Sequence, residues 1–551
     1  MALVCPVVEI ANGKVRGRVC LRAKPEEAKQ VFNFAGIPFA KPPVGELRFE
    51  PPQKCEPWEG VLEATKLSAS PLQSVELNDY VDRYVPARNE FGDDFRNFSE
   101  DCLYLNIFTS NPSKTANMPV MVWIYGGSYQ IGGSGNYSGQ ALCGLHDVVL
   151  VVPNYRLNVF GFFTTGRDTP YPGNMGLMDQ VMALEWTRDN IREFGGNPDN
   201  VTIFGESVGA VSVGAHSLSP LSKGLFHRTI QHSGTAAMEL YMRKDYAPSV
   251  KKLLEVLKVE ATDPKEIVAK LKTVPAQELI NATETLHTSL LSFFAHVDGR
   301  VLAEDPATLI EKKQFSNVPS IIGFNNSEGS GLFMKHMPKD FFDGYSEEAF
   351  DATIKSRLPY MISGLEPDKT DDALRRIKEV YGSEFEEDGK FKWSSVSAAL
   401  FGDHLFVFTT IDQLHAHSKT GYGTYLYHMT HQLKCHHDDE FKGEISKKAE
   451  FCRCDHTDDI IFTFGEPLMN GEMTKRVKFS KEEEEISRKW MTYIANFATS
   501  GNPNKGSEIE VEWPQYDVTK QRHLLVQNPL SYGDHLAESR YKLWKETLPN
   551  L

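Results

Sequence analysis

Gly205-Glu206-Ser207-Val208-Gly209 is the one stretch of the 551 residues in which a serine has glycines two positions before and two positions after it. A serine in G-x-S-x-G, set on a sharp strand-to-helix turn, can act as the nucleophile of acyl transfer. A bare hydroxyl does this chemistry poorly. It needs a base to take its proton, an acid to orient that base, and N–H donors for the oxyanion that forms on the attacked carbonyl. The flanks have the required texture: Val201, Ile203 and Phe204 mark a short buried strand, and Gly209, Ala210, Gly214 and Ala215 lie on a helix that can be approached closely. The same residues also fit an ordinary strand–loop–helix, so the partners must decide.

Donors are offered by "VWIYGGSYQIGG", where an apolar strand over 120–125 runs into Gly126-Gly127-Ser128. Bare backbone N–H groups there, with the amide of Val208 just after the serine, would make an oxyanion hole; the alternative is a tight turn with no chemistry. For the base there are 17 histidines, and composition does not choose among them. His436 and His437 fall in a hydrophilic stretch and read as solvated, whereas His456, in "CRCDHTDDIIFTFG", precedes an apolar run as a loop held over a core would. Glu328, in "IIGFNNSEGSGLF", lies just past a strand end, where open α/β sheets place their sites; a solvated surface carboxylate is the other reading. The chain order Ser207, Glu328, His456 is that of α/β-hydrolases.

Positioning such groups calls for a large sheet. "CLYLNIFT", "PVMVWIYGG", "DVVLVVPNYR", "NVTIFGES", "VPSIIGFNNSE" and "GTYLYHMT" read as strands that alternate with helical runs, which predicts an α/β fold with helices on both faces. "GLMDQVMALEWTRDNIREFGG" puts Leu177, Val181, Leu184 and Ile191 near helical spacing and stops at Gly195. Residues 340–415 read as mostly helical, a cap over the sheet, and "KEEEEISRKW" as a solvated helix start. No repeat or linker divides the chain, so residues 1–551 read as one domain.

A net charge of −15, from 59 Lys and Arg against 74 Asp and Glu, argues against nucleic acid or an anionic membrane as the main partner. No apolar run approaches the roughly 20 residues of a membrane span, and the start does not read as a secretory leader. Cys452-Arg453-Cys454 and Cys435-His436-His437 have a metal flavour, but the spacing fits no common zinc pattern, and reduced thiols are expected. No metal or cofactor is called for.

Taken in order, "FAGIPFAKPPVGELRFEPP", "SEDCLYLNIF", "GNMGLMDQVMALEW", "FGGNPDNVTIFGESVGAVSV" and "ATSGNPN" resemble the signatures of type-B carboxylesterases, the family that includes cholinesterases and bile-salt-activated lipase. The likeness covers residues 8 to 545, and "DHTDDIIFTFGEP" and "HVDGRVLAEDP" are most similar to the carboxylesterase and lipase branches. It implies an α/β-hydrolase fold with Ser207 as nucleophile, His456 as general base and Glu328 as the orienting acid. It also implies oxyanion amides at Gly127, Ser128 and Val208, supporting residues at Gly126, Glu206 and Ser233, the last two polar, and a structural ion pair between Arg48 and Glu100.

Departures from the family pattern qualify what the likeness implies. Ser128 replaces a third glycine and adds a side chain to the loop, while Val208 adds bulk where alanine is usual. Cys102 lacks its usual disulfide partner in "KLSASPLQ", and the second bridge has no cysteines in "LLEVLKVEATDPKEIVAKLKTV", so a reducing compartment, the cytosol, is expected. Residues 70–101 contain no tryptophan, and Tyr80, Tyr84, Phe91 and Phe95 would hold a quaternary ammonium only weakly, which disfavours choline esters.

The expected function is hydrolysis of neutral carboxylic esters through an acyl-enzyme, with small-molecule substrates. Lipase, cholesterol-ester and acyl-thioester hydrolysis by the same mechanism stay open, as does a non-catalytic adhesion relative of the neuroligin type. Oligomeric state is not legible.

Overall fold

The computed structural model describes residues 5–82, 97–288, 291–330, 341, 345–362, 365–387, 390–441, 446–470 and 477–551. Eleven strands form the central sheet: β1 (Arg18–Val19), β2 (Phe32–Pro38), β3 (Tyr104–Thr109), β4 (Met118–Ile124), β5 (Val149–Pro153), β6 (Gly196–Glu206), β7 (Arg228–His232), β8 (Ser320–Asn325), β9 (Thr424–Met429), β10 (His523–Val526) and β11 (Ser531–Gly533). Their order across the sheet is β11-β10-β9-β8-β7-β6-β4-β5-β3-β2-β1. From β5 to β10 the neighbours run parallel, and antiparallel strands close both edges. This is the α/β-hydrolase sheet, and all six strands expected from the sequence lie in it.

The parallel strands read as unbroken apolar runs because both faces are covered. Every residue of β4 and of β5 is buried. Helices α1 (Met175–Asn190), α2 (Val208–Leu218), α7 (Asp458–Phe464) and α8 (Lys481–Ser500) supply much of the cover. The run that contains α1 ends where Gly195 takes φ 88°, before the chain turns into β6. Ser480 and Glu483 form a reciprocal cap at the start of α8. Glu483 is fully buried and also accepts from the Lys434 amide at 2.9 Å, so this charged helix start is not wholly solvated as the sequence suggested.

Helices α3 (Glu347–Met361), α4 (Thr370–Glu384) and α5 (Trp393–Gly402) lie within the stretch read as cap-like, and α6 (Phe408–His417) runs two residues past its end. Phe350, Ile354, Tyr381, Val396 and Phe408 build a second apolar cluster against Ile322 of β8 and Leu426 of β9. Residues Trp393–Thr420 make one continuous 28-residue helical run, long and apolar enough to cross a bilayer, with 61% of its most apolar window buried in the fold. All eight cysteines are described, and none forms a disulfide.

Candidate active site

Ser207 stands between the end of β6 and the start of α2 with φ 56° and ψ −127°, a conformation that strains any residue with a Cβ. The glycines around it answer a different need. A Cβ on Gly209 would lie 2.0 Å from the Ile124 carbonyl oxygen, and one on Gly205 2.5 Å from the same atom. Both are required because the end of β4 crosses against the turn, while the serine itself carries the left-handed twist. The turn is tied from the other side by the Ser207 amide, which donates to the His232 carbonyl at 2.9 Å.

The oxyanion loop leaves β4 and passes close to the elbow: a Cβ on Gly126 would meet Ser207 Cβ at 3.0 Å and Glu206 Oε2 at 2.5 Å. Gly127, Ser128 and Tyr129 have successive φ values of 101°, 55° and 56°. The Gly127 carbonyl accepts from the Gln130 and Ile131 amides at 2.9 and 3.0 Å, which folds the loop into a tight turn. The amides of Gly127, Ser128 and Val208 make no hydrogen bond to the described residues. At Val208 this is the ordinary orphaned donor of a helix start, left available to an anion.

Glu328 lies in the turn after β8 and is buried. Its Oε1 accepts from the Asn325 amide at 2.7 Å and from the Ser233 hydroxyl at 2.5 Å, leaving Oε2 against His456 Nδ1 at 2.6 Å. Three bonds therefore fix the carboxylate and the ring tautomer together. His456 is carried on a loop laced to the acid turn: Ser327 N–H donates to the Cys454 carbonyl at 2.9 Å, Cys454 N–H to Asn326 Oδ1 at 3.0 Å, and Asn325 Nδ2 to the Asp455 carbonyl at 2.7 Å. Phe406 packs on the imidazole with ring centroids 4.7 Å apart.

The opposite nitrogen, Nε2, faces the elbow and lies 2.9 Å from Glu206 Oε1. Between these two groups charge outweighs hydrogen bonding. Burial opposes charging of His456, yet the charges of Glu206 and Glu328 outweigh it and hold the imidazole well above its usual pKa. Burial likewise raises Glu206, with the His456 charge pulling it back.

The structure thus brings Glu328, His456, Glu206 and Ser233 into one connected group beside the Ser207 elbow, with Gly126, Gly127 and Ser128 on the adjoining loop. Sequence reasoning missed several groups that shape it. Lys448 is buried 3.2 Å from Asp455 and 3.0 Å from Asp458, at the base of the histidine loop. Asp455 Oδ1 in turn accepts from the His456 amide at 2.8 Å. Tyr241 hydrogen-bonds Ser128. None of these carries a local signal, because each partner is distant or the residue type is common.

His436 corrects the sequence reading. It is fully buried on a short helix, its Nδ1 3.1 Å from the Ser446 carbonyl oxygen, and burial with the nearby Lys448 charge pushes its pKa down to about 2. His437 is partly buried, its Nε2 3.1 Å from the Cys452 carbonyl oxygen. Polar neighbours in sequence do not reveal that the chain folds back over them. Among the described residues no group of three or more His, Cys, Asp or Glu is placed to hold a metal ion. Tyr84, Phe91 and Phe95 lie outside the described residues, as does the side chain of Tyr80.

Residues 4–544 match the model of the carboxylesterase family. Carboxylesterase 5A of Homo sapiens is 36% identical over 524 residues, covering 94% of this chain and 85% of its own length. The medium-chain fatty acyl-CoA hydrolase precursor of Anas platyrhynchos is 35% identical over 546 residues, 98% of this chain and 92% of its own. The pyrethroid hydrolase Ces2e of Rattus norvegicus is 34% identical over 546 residues, 99% and 90%.

Proposed function

We propose that this chain, which belongs to the carboxylesterase family and is a carboxylic ester hydrolase, works through an acyl-serine intermediate made at Ser207. The Ser207 hydroxyl passes its proton to His456 Nε2 as its oxygen attacks the ester carbonyl. The oxyanion is met by the amides of Gly127, Ser128 and Val208. Collapse of the tetrahedral intermediate expels the alcohol, which takes the proton from the imidazolium; water, activated by the same ring, then releases the acid. Glu328 holds the ring in the tautomer that leaves Nε2 able to accept and stabilises the imidazolium that forms.

The observation that supports this reading most strongly is the buried imidazole held at Nδ1 by Glu328, with Nε2 turned to the elbow. The substrates we favour are neutral esters of small molecules. Acyl-thioester hydrolysis is a second reading, favoured by the relative whose name is a fatty acyl-CoA hydrolase.

Ser207→Ala tests the assignment. Turnover of p-nitrophenyl butyrate should fall by about 10⁴-fold or more, with fluorophosphonate labelling lost and the circular dichroism spectrum kept. Retained turnover would show that the nucleophile lies elsewhere. Comparing kcat/KM for p-nitrophenyl acetate, butyrate and octanoate with that for an octanoyl-CoA thioester separates the two substrate readings.

A further inference from the structure

Ser128 is the odd residue of the oxyanion loop. It stands at φ 55°, in the left-handed region where glycine is at ease and a side chain is not. Its neighbours on the C-terminal side are tied from within. The Tyr129 hydroxyl is 3.0 Å from Ser212 Oγ on α2, and Gln180 Nε2 donates to that oxygen at 3.3 Å. Gln130 Nε2 donates to the Phe293 carbonyl at 2.9 Å. Among the described residues the Ser128 side chain has one hydrogen-bond partner, the Tyr241 hydroxyl at 3.2 Å.

Tyr241 is well placed to hold it. The residue is buried, its amide donates to the Met238 carbonyl at 3.0 Å, and its ring meets Phe294 edge-on with centroids 5.3 Å apart. Burial raises its hydroxyl pKa, and the charges of His456 and Glu206 are felt there, so the phenol stays neutral beside the site.

We propose that Tyr241 is a positioning residue for the oxyanion donors: its hydroxyl latches the Ser128 side chain and so holds the Gly127 and Ser128 amides in the aim that glycine would hold unaided. The inference rests on the oxyanion reading given above. It goes beyond that reading because it makes turnover depend on a residue 113 positions away, and only while position 128 has a side chain to be held.

A double-mutant cycle on p-nitrophenyl butyrate hydrolysis tests it. Tyr241→Phe should lower kcat about tenfold with KM within about twofold, because the misaimed donors act on the transition state. Affinity for a trifluoromethyl ketone, whose serine adduct carries an oxyanion, should fall in step with kcat. Ser128→Gly sets its own baseline, and adding Tyr241→Phe to it should change kcat by less than about twofold. Ser128→Ala should lose as much as Tyr241→Phe, and the two together no more, which covers the case in which one substitution disturbs folding.

An equal loss from Tyr241→Phe in both backgrounds, a change in KM alone, or no change in kcat would each overturn the latch. Ser207→Ala, run beside the cycle, separates the two failures. If it is inactive while the cycle shows no coupling, the latch falls and the site stands; if it is active, both fall.

Discussion

His456 sits between two carboxylates, 2.6 Å from Glu328 on one side and 2.9 Å from Glu206 on the other. Their charges hold its pKa well above the usual range against the cost of burial. A base must be neutral to accept the serine proton, and a raised pKa moves the neutral form to higher pH. The same charges stabilise the imidazolium once the proton has moved, so they help the transition state while they hinder the resting base. Glu206→Gln separates these effects. Removing one negative charge lowers the His456 pKa, so the acid limb of the kcat/KM profile should move to lower pH, while the plateau of kcat drops by about tenfold. An unmoved limb, or one displaced to higher pH, would mean that Glu206 does not carry its charge beside the ring.

At the scale of elements, the site is a meeting of three strand ends. β4 delivers the oxyanion loop, β6 the nucleophile and β8 the acid, while the histidine loop is laced to the turn after β8. The crossing of β4 against the elbow is the tightest of these contacts, since Gly209, at the start of α2, leaves no room for a methyl group beside the Ile124 carbonyl oxygen. That neighbour is backbone on a central strand and cannot move aside. Gly209→Ala should therefore destabilise the fold by about 3 kcal/mol, read as an earlier midpoint in urea unfolding. Wild-type stability in this variant would show that the elbow has slack that the geometry does not indicate.

Across the whole molecule, bracing comes from contacts distant in sequence, because no disulfide supplies it. Arg48 is the clearest case: its guanidinium grips both Glu100 oxygens at 2.6 and 2.7 Å and donates to the carbonyls of Leu271, Lys272 and Val274. Arg48→Met would leave a largely buried carboxylate and three carbonyls without that donor. It should cost about 3 kcal/mol of stability and lower the Tm, since breaking a buried pair strands its partner. Below the unfolding transition kcat should be that of the parent, because Arg48 touches none of the site groups. An unchanged Tm would show that the pair contributes nothing to the fold.

The sequence by itself determined what local rules govern. The sheet strands were legible because parallel strands covered on both faces must be continuously apolar. The elbow was legible because a strand crossing so close to a turn admits only glycine. Local features, an apolar run after His456 and a strand end before Glu328, only suggested these two among 17 histidines and many carboxylates, and resemblance to a family carried the assignment. Tertiary structure alone decided that His436 is buried, that Glu483 caps its helix from inside the core, and that Tyr241 meets Ser128. Burial and charge act between groups brought close in space, and those groups lie up to more than a hundred residues apart along the chain. No window of sequence contains both halves of such a contact.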